Sequence, residues 1–279
     1  MVLEAGLEPA RPREREILSL LCLPIPPYQH RFCEVFRFFV NFLLVYFCQK
    51  FSDPRGNVFF EIGKTIDAKR PFIVFLENVA NLTEHDHGRT FNVIHNELAG
   101  RDYFLRYLVA DACEYADIPQ HRTRTYLMAF RDEEKCRRFA FPDKKPLTIR
   151  ITDVIDTTQK AEESFYLHPG DYGYDKMVAA IRDDKQLYRF SDYGIQSSKD
   201  GIAFTLKANM GTYPNRVPVI KDKFGVRRIT PLECLALQGF PSSFSFPSTV
   251  PLREQYKQAG NTVCVYKSLQ IKGANNDLF

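Results

Sequence analysis

No two of the seven cysteines (Cys22, Cys33, Cys48, Cys113, Cys136, Cys234, Cys264) form a C-x-x-C pair. Their odd number and wide scatter outline neither a zinc site nor a disulfide framework. Reduced thiols and a cytoplasmic location are therefore expected. The chain also lacks a run of about 20 apolar residues, the length that spans a bilayer. Its most hydrophobic stretch, residues 36–47 (FRFFVNFLLVYF), is shorter and is interrupted by Arg37 and Asn41. No membrane partner follows. The stretch starts too late, behind a charged, proline-bearing leader, to be a usual signal peptide, and reads as a buried strand or a misplaced translation. Residues 1–30 have no sustained period, and Pro24, Pro26 and Pro27 break their only apolar run. That opening resembles the peptide made when a transfer-RNA gene region is translated by mistake.

What remains is an ordinary soluble composition. The 279 residues are 44% hydrophobic and 26% charged, with a formal net charge of +4 that fits a nucleic-acid partner without demanding one. From Asp53 onward, periodicity and punctuation agree. Val58, Phe59, Ile62 and Ile66 share one helical face, and Arg70-Pro71 stops that helix because proline disfavours a helical predecessor. Residues 72–76 (FIVFL) form an unbroken apolar run, as in a strand covered on both faces. Residues 88–98 read as a helix with Phe91, Ile94 and Leu98 inward, and residues 103–110 and 125–130 read as strands. The alternation predicts an open α/β sheet, in which ligands sit at the carboxyl ends of strands. That places attention on Glu77-Asn78-Val79. Residues 143–224 are looser, with one helix expected over residues 177–187. At Thr230-Pro-Leu-Glu233 a capping box with proline at the first helical position opens another helix. Its expected apolar face is Leu232, Leu235 and Ala236, and Gly239 follows to cap its end.

Five segments, in this order, resemble the motif series of the cytosine-5 DNA methyltransferases. They are residues 53–61 (DPRGNVFFE), Glu77-Asn78-Val79, residues 120–124 (QHRTR), residues 228–241 (RITPLECLALQGFP) and residues 258–263 (QAGNTV). The resemblance covers roughly residues 53–266. It implies an incomplete Rossmann-like methyltransferase sheet with an irregular target-recognition domain inserted near the C-terminus. Four parts are expected: residues 1–52, outside the family sequence; 53–142, the C-terminal half of the catalytic domain; 143–225, target recognition; and 226–279, returning to the catalytic domain.

The implied reaction moves a methyl group from S-adenosylmethionine to C5 of a cytosine flipped out of double-stranded DNA. Cytosine C5 is a poor nucleophile until a cysteine thiolate adds to C6. Glu77 would then supply a proton or strong hydrogen bond at N3, best done with a pKa raised by burial. By the resemblance, Arg124 would hold the cytosine O2 and buttress Glu77, Arg122 would grip backbone phosphate, and Gln120 would position the DNA. Val58, Asn261, Thr262 and Val263 would border the cofactor. Arg189, Lys199, Lys207, Asn209 and Asn215 are candidate DNA contacts in the inserted domain. No metal is expected; His85, Asp86 and His87 read as a solvated loop. The setting implied is a restriction-modification system with a cognate restriction endonuclease, the protein itself monomeric. A non-catalytic DNA-binding remnant and an RNA cytosine-5 methyltransferase are the alternatives.

The departures from the family are specific. The glycine-rich turn that receives the methionine part of the cofactor is absent upstream of Asp53, as are identifiable acidic residues for ribose and adenine. Residues 46–52 (YFCQKFS) imitate the family's C-Q-x-F-S, which would make Cys48 the nucleophile. The glycine-containing loop that should follow is missing. A rival alignment treats residues 51–56 as the end of that loop, leaving Cys48 an accident, and this is the reading preferred here. A defective chain is expected on these grounds.

Overall fold

The computed structural model describes the strand Phe42–Tyr46 and residues 58–264. Two packed units carry these residues. The first is built on a four-stranded sheet of β1 (Phe42–Tyr46), β2 (Ile73–Val79), β3 (Phe104–Asp111) and β4 (Thr123–Phe130), in the order β1-β2-β4-β3. β1 runs parallel to β2, with Tyr46 the partner of Glu77, while β4 is antiparallel to both its neighbours. Within residues 36–47, then, the described strand holds a defined register on β2.

Period-two alternation gives each strand two faces. On one face Val74 and Leu76 of β2 join Leu127 and Ala129 of β4. Helices α1 (Val58–Lys69) and α2 (Arg89–Ala99) cover this face with Phe59, Ile62, Ile66, Ile94 and Leu98. The other face carries Ile73, Met128 and Phe130 against Cys136 and Phe139. Near its far end lie α3 (Ala112–Tyr115) and, after β4, α4 (Glu133–Arg138). Helix α1 ends where expected, but by a different device: Arg70 takes a left-handed conformation (φ 45°) and donates its backbone N–H to Ile66.

The second unit contains α5 (Ile151–Val154), α6 (Tyr174–Ala180) and an antiparallel sheet of order β6-β5-β7-β8. Its strands are β5 (Tyr188–Ser191), β6 (Gly194–Ser197), β7 (Val219–Asp222) and β8 (Gly225–Arg228). The helix expected over residues 177–187 stops at Ala180. Past it, Asp183 accepts from Lys185 N–H and Gln186 Nε2, and the Tyr188 hydroxyl accepts from Arg182 and Asp183 N–H, so local polar bonds replace the helical ladder.

Helix α7 (Pro231–Ala236) has the anticipated capping box: Thr230 Oγ1 accepts from Glu233 N–H, and Glu233 Oε2 accepts from Thr230 N–H. Its buried face is Pro231, Cys234 and Leu235; Leu232 is 47% exposed, which corrects the expected face. Cys234, Leu235, Tyr256 and Ala259 share one core with Ile151, Leu187, Leu206 and Ile220. The return to the first unit thus falls near Asn261–Cys264 and not at residue 226, with Cys264 packing on Ala112, Ala116 and Ile118. Helix α8 (Leu252–Asn261) lies directly on the backbone of residues 207–211. A Cβ on Gly260 would sit 2.2 Å from the Lys207 carbonyl carbon, and one on Gly211 would sit 2.3 Å from the Arg253 oxygen. Both contacts require glycine.

Candidate active site

The carboxyl end of β2 delivers Glu77 to the sheet face opposite α1 and α2, because Glu77 is in phase with Ile73 and Phe75. Its register partner on β4 is Tyr126, and Arg124, two residues away, presents its side chain to the same face. Arg124 Nε lies 3.0 Å from Glu77 Oε1. The contact has ion-pair distance but not hydrogen-bond alignment: both Glu77 oxygens and Arg124 Nε are buried without a hydrogen bond. Arg124 Nη1 donates instead to the Thr123 carbonyl. Burial pushes the Glu77 carboxyl up to about 7, although the Arg124 and Arg122 guanidiniums pull it down. A carboxyl of this kind holds or releases a proton near neutrality, and the Arg124 guanidinium stays paired beside it. This pair can therefore grip a ring that offers an N–C=O edge, as cytosine does through N3 and O2.

Cys264 lies beside this pair, within the electrostatic reach of Arg122, Arg124 and Glu77, and burial raises its thiol to about 12. Neither it nor Tyr126 was marked in the sequence. The signal for Tyr126 was available in the strand period, since it shares a face with Arg124 two residues earlier.

Two residues expected to meet DNA are used otherwise. Gln120 is fully buried; its Nε2 donates to the Leu237 carbonyl at 3.0 Å and its Oε1 accepts from Leu206 N–H at 3.3 Å. Arg122, 1% exposed, donates to the carbonyls of Leu206 (3.0 Å), Thr262 (2.7 Å) and Gly260 (3.4 Å). A buried guanidinium engaged in this way ties the units together. With Ala203 N–H donating to the Pro119 carbonyl and His121 N–H donating to the Ala203 carbonyl, residues 119–122 form the seam between the units.

Asp111 anchors that seam from the first unit. It accepts from Arg122 N–H (2.8 Å), Thr123 Oγ1 (3.1 Å) and Cys113 N–H (3.4 Å), and Oδ2 lies 3.2 Å from His121 Nδ1. Burial opposes its charge, but these hydrogen bonds outweigh it and hold the carboxyl below its ordinary value. Cys113 is pushed up to about 12, by burial first and then by the Asp111 charge.

Of the residues expected at the cofactor, Val58 opens α1, Thr262 is buried with its carbonyl engaged by Arg122, Val263 is half-buried and Asn261 is exposed. Cys48 lies outside the described residues. In the second unit, Arg189 stacks over Phe204 at 4.1 Å and donates to Gln196 Oε1. Arg189, Lys207, Asn209 and Arg216 line a cleft of about 230 Å³ with Tyr193, which is 96% exposed. Lys199 and Asn215 do not line it. Just before the motif quoted from residue 228, the buried arginine is Arg227. Its Nη1 and Nη2 donate to both Glu233 oxygens at 2.8 Å, and Nε donates to Asp222 at 2.9 Å. Burial works against its charge, yet Glu233 and Asp222 hold it above its ordinary value.

Comparison with known proteins gives this arrangement a family. The model of the C-5 cytosine-specific DNA methylases matches residues 48–272, beginning at Cys48. The type II methyltransferase M.Bsp6I of Bacillus sp. (strain RFL6) is 39% identical over 217 residues, covering 77% of this chain and 69% of the relative. M.SsoII of Shigella sonnei is 34% identical over 220 residues, covering 77% and 55%. M.HhaI of Haemophilus parahaemolyticus is 29% identical over 240 residues, covering 77% and 66%. The chain thus spans 55% to 69% of the length of these relatives. Among solved structures, the Entamoeba histolytica methyltransferase EhMeth superposes with a TM-score of 0.62 at 19% identity, over 86% of this chain and 78% of that one. The S. pombe Dnmt2 methyltransferase gives 0.60 at 18% identity, over 85% and 78%. These two likenesses show a shared α/β methyltransferase fold. By the length of the family match and by its identity to M.Bsp6I, the chain belongs to the C-5 cytosine-specific DNA methylases.

Proposed function

We propose that the chain serves DNA (cytosine-5) methylation, and that its described residues carry the base-gripping and DNA-binding part of that reaction. The observation that carries this reading is the wholly buried Glu77 carboxyl, raised to about 7 and facing Arg124 Nε at 3.0 Å. Protonated, Glu77 donates to N3 of a flipped cytosine and neutralises the charge that builds on the ring when C6 is attacked. Arg124 holds O2 and keeps the carboxyl oriented. Because Glu77 and Arg124 are both buried, these interactions are strong where they act.

Cys48 is the thiol we assign to C6, in place of the accidental reading preferred from the sequence. Two observations support this: the family match begins at Cys48, and β1 ends at Tyr46, the register partner of Glu77. Two residues of chain reach at most about 7 Å. S-adenosylmethionine is the methyl donor implied by the family. The described residues do not complete a site for it: the Thr262 carbonyl is engaged by Arg122, and Val58, Asn261 and Val263 are the other expected residues that would border such a molecule. Duplex DNA would lie on the second unit, where Arg189, Lys207 and Arg216 would supply phosphate contacts beside the exposed Tyr193. The type II relatives support a modification role beside a cognate restriction endonuclease.

The test is transfer of tritiated methyl from S-adenosylmethionine to genomic DNA. It is run on the chain as given and on a chimera in which a relative's glycine-rich segment replaces residues 1–41. The chimera is expected to methylate, and Glu77→Gln and Cys48→Ser to abolish that activity. Incorporation by Glu77→Gln at the unsubstituted rate, or none by either form, refutes the reading.

A further inference from the structure

The side chains of Asp111, Cys113 and His121 converge at the seam in a way the base-gripping site does not use. Their ligand atoms all lie within 4.8 Å of one another. Cys113 Sγ is 3.4 Å from His121 Nδ1, and His121 Nδ1 is 3.2 Å from Asp111 Oδ2. Tetrahedral zinc, with bonds of about 2.3 Å to sulfur and about 2.0–2.2 Å to nitrogen and oxygen, sets ligand-to-ligand edges of roughly 3.3–3.6 Å. Two of the three edges therefore already have nearly the length a bound ion would impose. The third edge, from Cys113 Sγ to Asp111, is within 4.8 Å.

We propose that Asp111, Cys113 and His121 form a binding site for a thiophilic divalent cation of the zinc class, with the fourth position open to solvent. The donor set decides the class. One sulfur, one imidazole nitrogen and one carboxylate oxygen suit zinc or cobalt, and do not suit magnesium or calcium, which take oxygen ligands.

The surroundings hold these donors in place. The Asp111 carboxylate is fixed by Arg122 N–H on Oδ1 and by the Thr123 hydroxyl on Oδ2, the outer-shell contacts that orient a ligating carboxylate. The His121 backbone is held on both sides: its N–H donates to the Ala203 carbonyl, and its carbonyl accepts from Thr205 Oγ1 at 2.5 Å. Asp111 also caps α3, which presents Cys113 two residues later. The His121 side chain is 57% exposed, giving an ion a route in and a place for water. On binding, Cys113 loses its thiol proton to solvent, and His121 carries its remaining ring proton on Nε2 so that Nδ1 can coordinate. The ion would bridge the end of β3 to the residue that docks on the second unit, next to Arg122, and so tie the two units together.

The experiment is titration of the whole chain with cobalt(II), followed by zinc. The expected result is one equivalent of four-coordinate cobalt, with visible d–d bands and a thiolate-to-metal charge-transfer band, displaced by zinc. Cys113→Ser should remove the charge-transfer band, and His121→Gln should weaken binding by more than about tenfold. Cys136→Ser, in the core behind β4, should leave both unchanged. Because the His121 side chain is exposed, its substitution tests the site without threatening the fold. Absence of the bands from the unsubstituted chain, or their persistence at full strength in either ligand variant, overturns the proposal.

Discussion

Replacing Glu77 with glutamine should make the protein more stable at alkaline pH while destroying the proposed base grip. The Glu77 carboxyl is raised from an ordinary 4.5 to about 7, chiefly by burial. A group whose pKa is higher folded than unfolded gives stability that is fully present below the unfolded value. That stability is lost as pH rises through the folded value. For Glu77 the loss runs from about pH 4.5 to just above 7. At 1.36 kcal/mol for each tenfold, it amounts to about 3 kcal/mol. Glutamine resembles the protonated carboxyl in shape and polarity but cannot ionise. Urea unfolding of both forms at pH 4 and pH 8 isolates the effect, because every other titrating group is common to the two. The gap between variant and parent should move in the variant's favour by about 3 kcal/mol over that range. If the two stability profiles run parallel, Glu77 is not a buried, proton-holding carboxyl and the reasoning fails.

Arg227→Met leaves Asp222 and Glu233 without the cation between them and should cost about 3–5 kcal/mol, read as a lower urea midpoint. Thr230→Ala removes the α7 cap and should cost about 1 kcal/mol by the same measurement. Gly260→Ala forces apart α8 and the backbone at Lys207, and should lower the thermal midpoint far more than alanine at exposed Lys207. Arg189→Ala and Lys207→Ala should weaken binding to any duplex about equally, and each should reduce the salt dependence by about one ion.

The strands and helices that carry Glu77 and Arg124 were legible because burial there follows a simple period. An unbroken apolar run marked β2, α1 and α2 showed one apolar face each, and Thr230 with Glu233 announced a helix start. The roles of Gln120 and Arg122 were not legible. Arginine and glutamine between two strands look like a polar edge until the partner carbonyls, Leu206 and Leu237 among them, are seen to arrive from far along the chain. The same distance hid Asp111, whose importance rests on Arg122, Thr123 and His121. Leu232 misled because its spacing fitted the helix face, while Pro231 and Cys234 took the inward positions.

The three carbonyls that Arg122 binds come from residues 84, 138 and 140 positions later. Synthesis at about 5–20 residues per second puts on the order of ten seconds between the emergence of this arginine and that of Thr262. Throughout that interval these three acceptor carbonyls are not yet in place, and water must serve the guanidinium donors that they later take. Because these contacts close such long loops, they form late and their loss opens both units together. The protein should therefore melt in one cooperative transition despite its two sheets. A ribosome stalled before Gly260 would hold a chain whose seam is still wet and open to proteases.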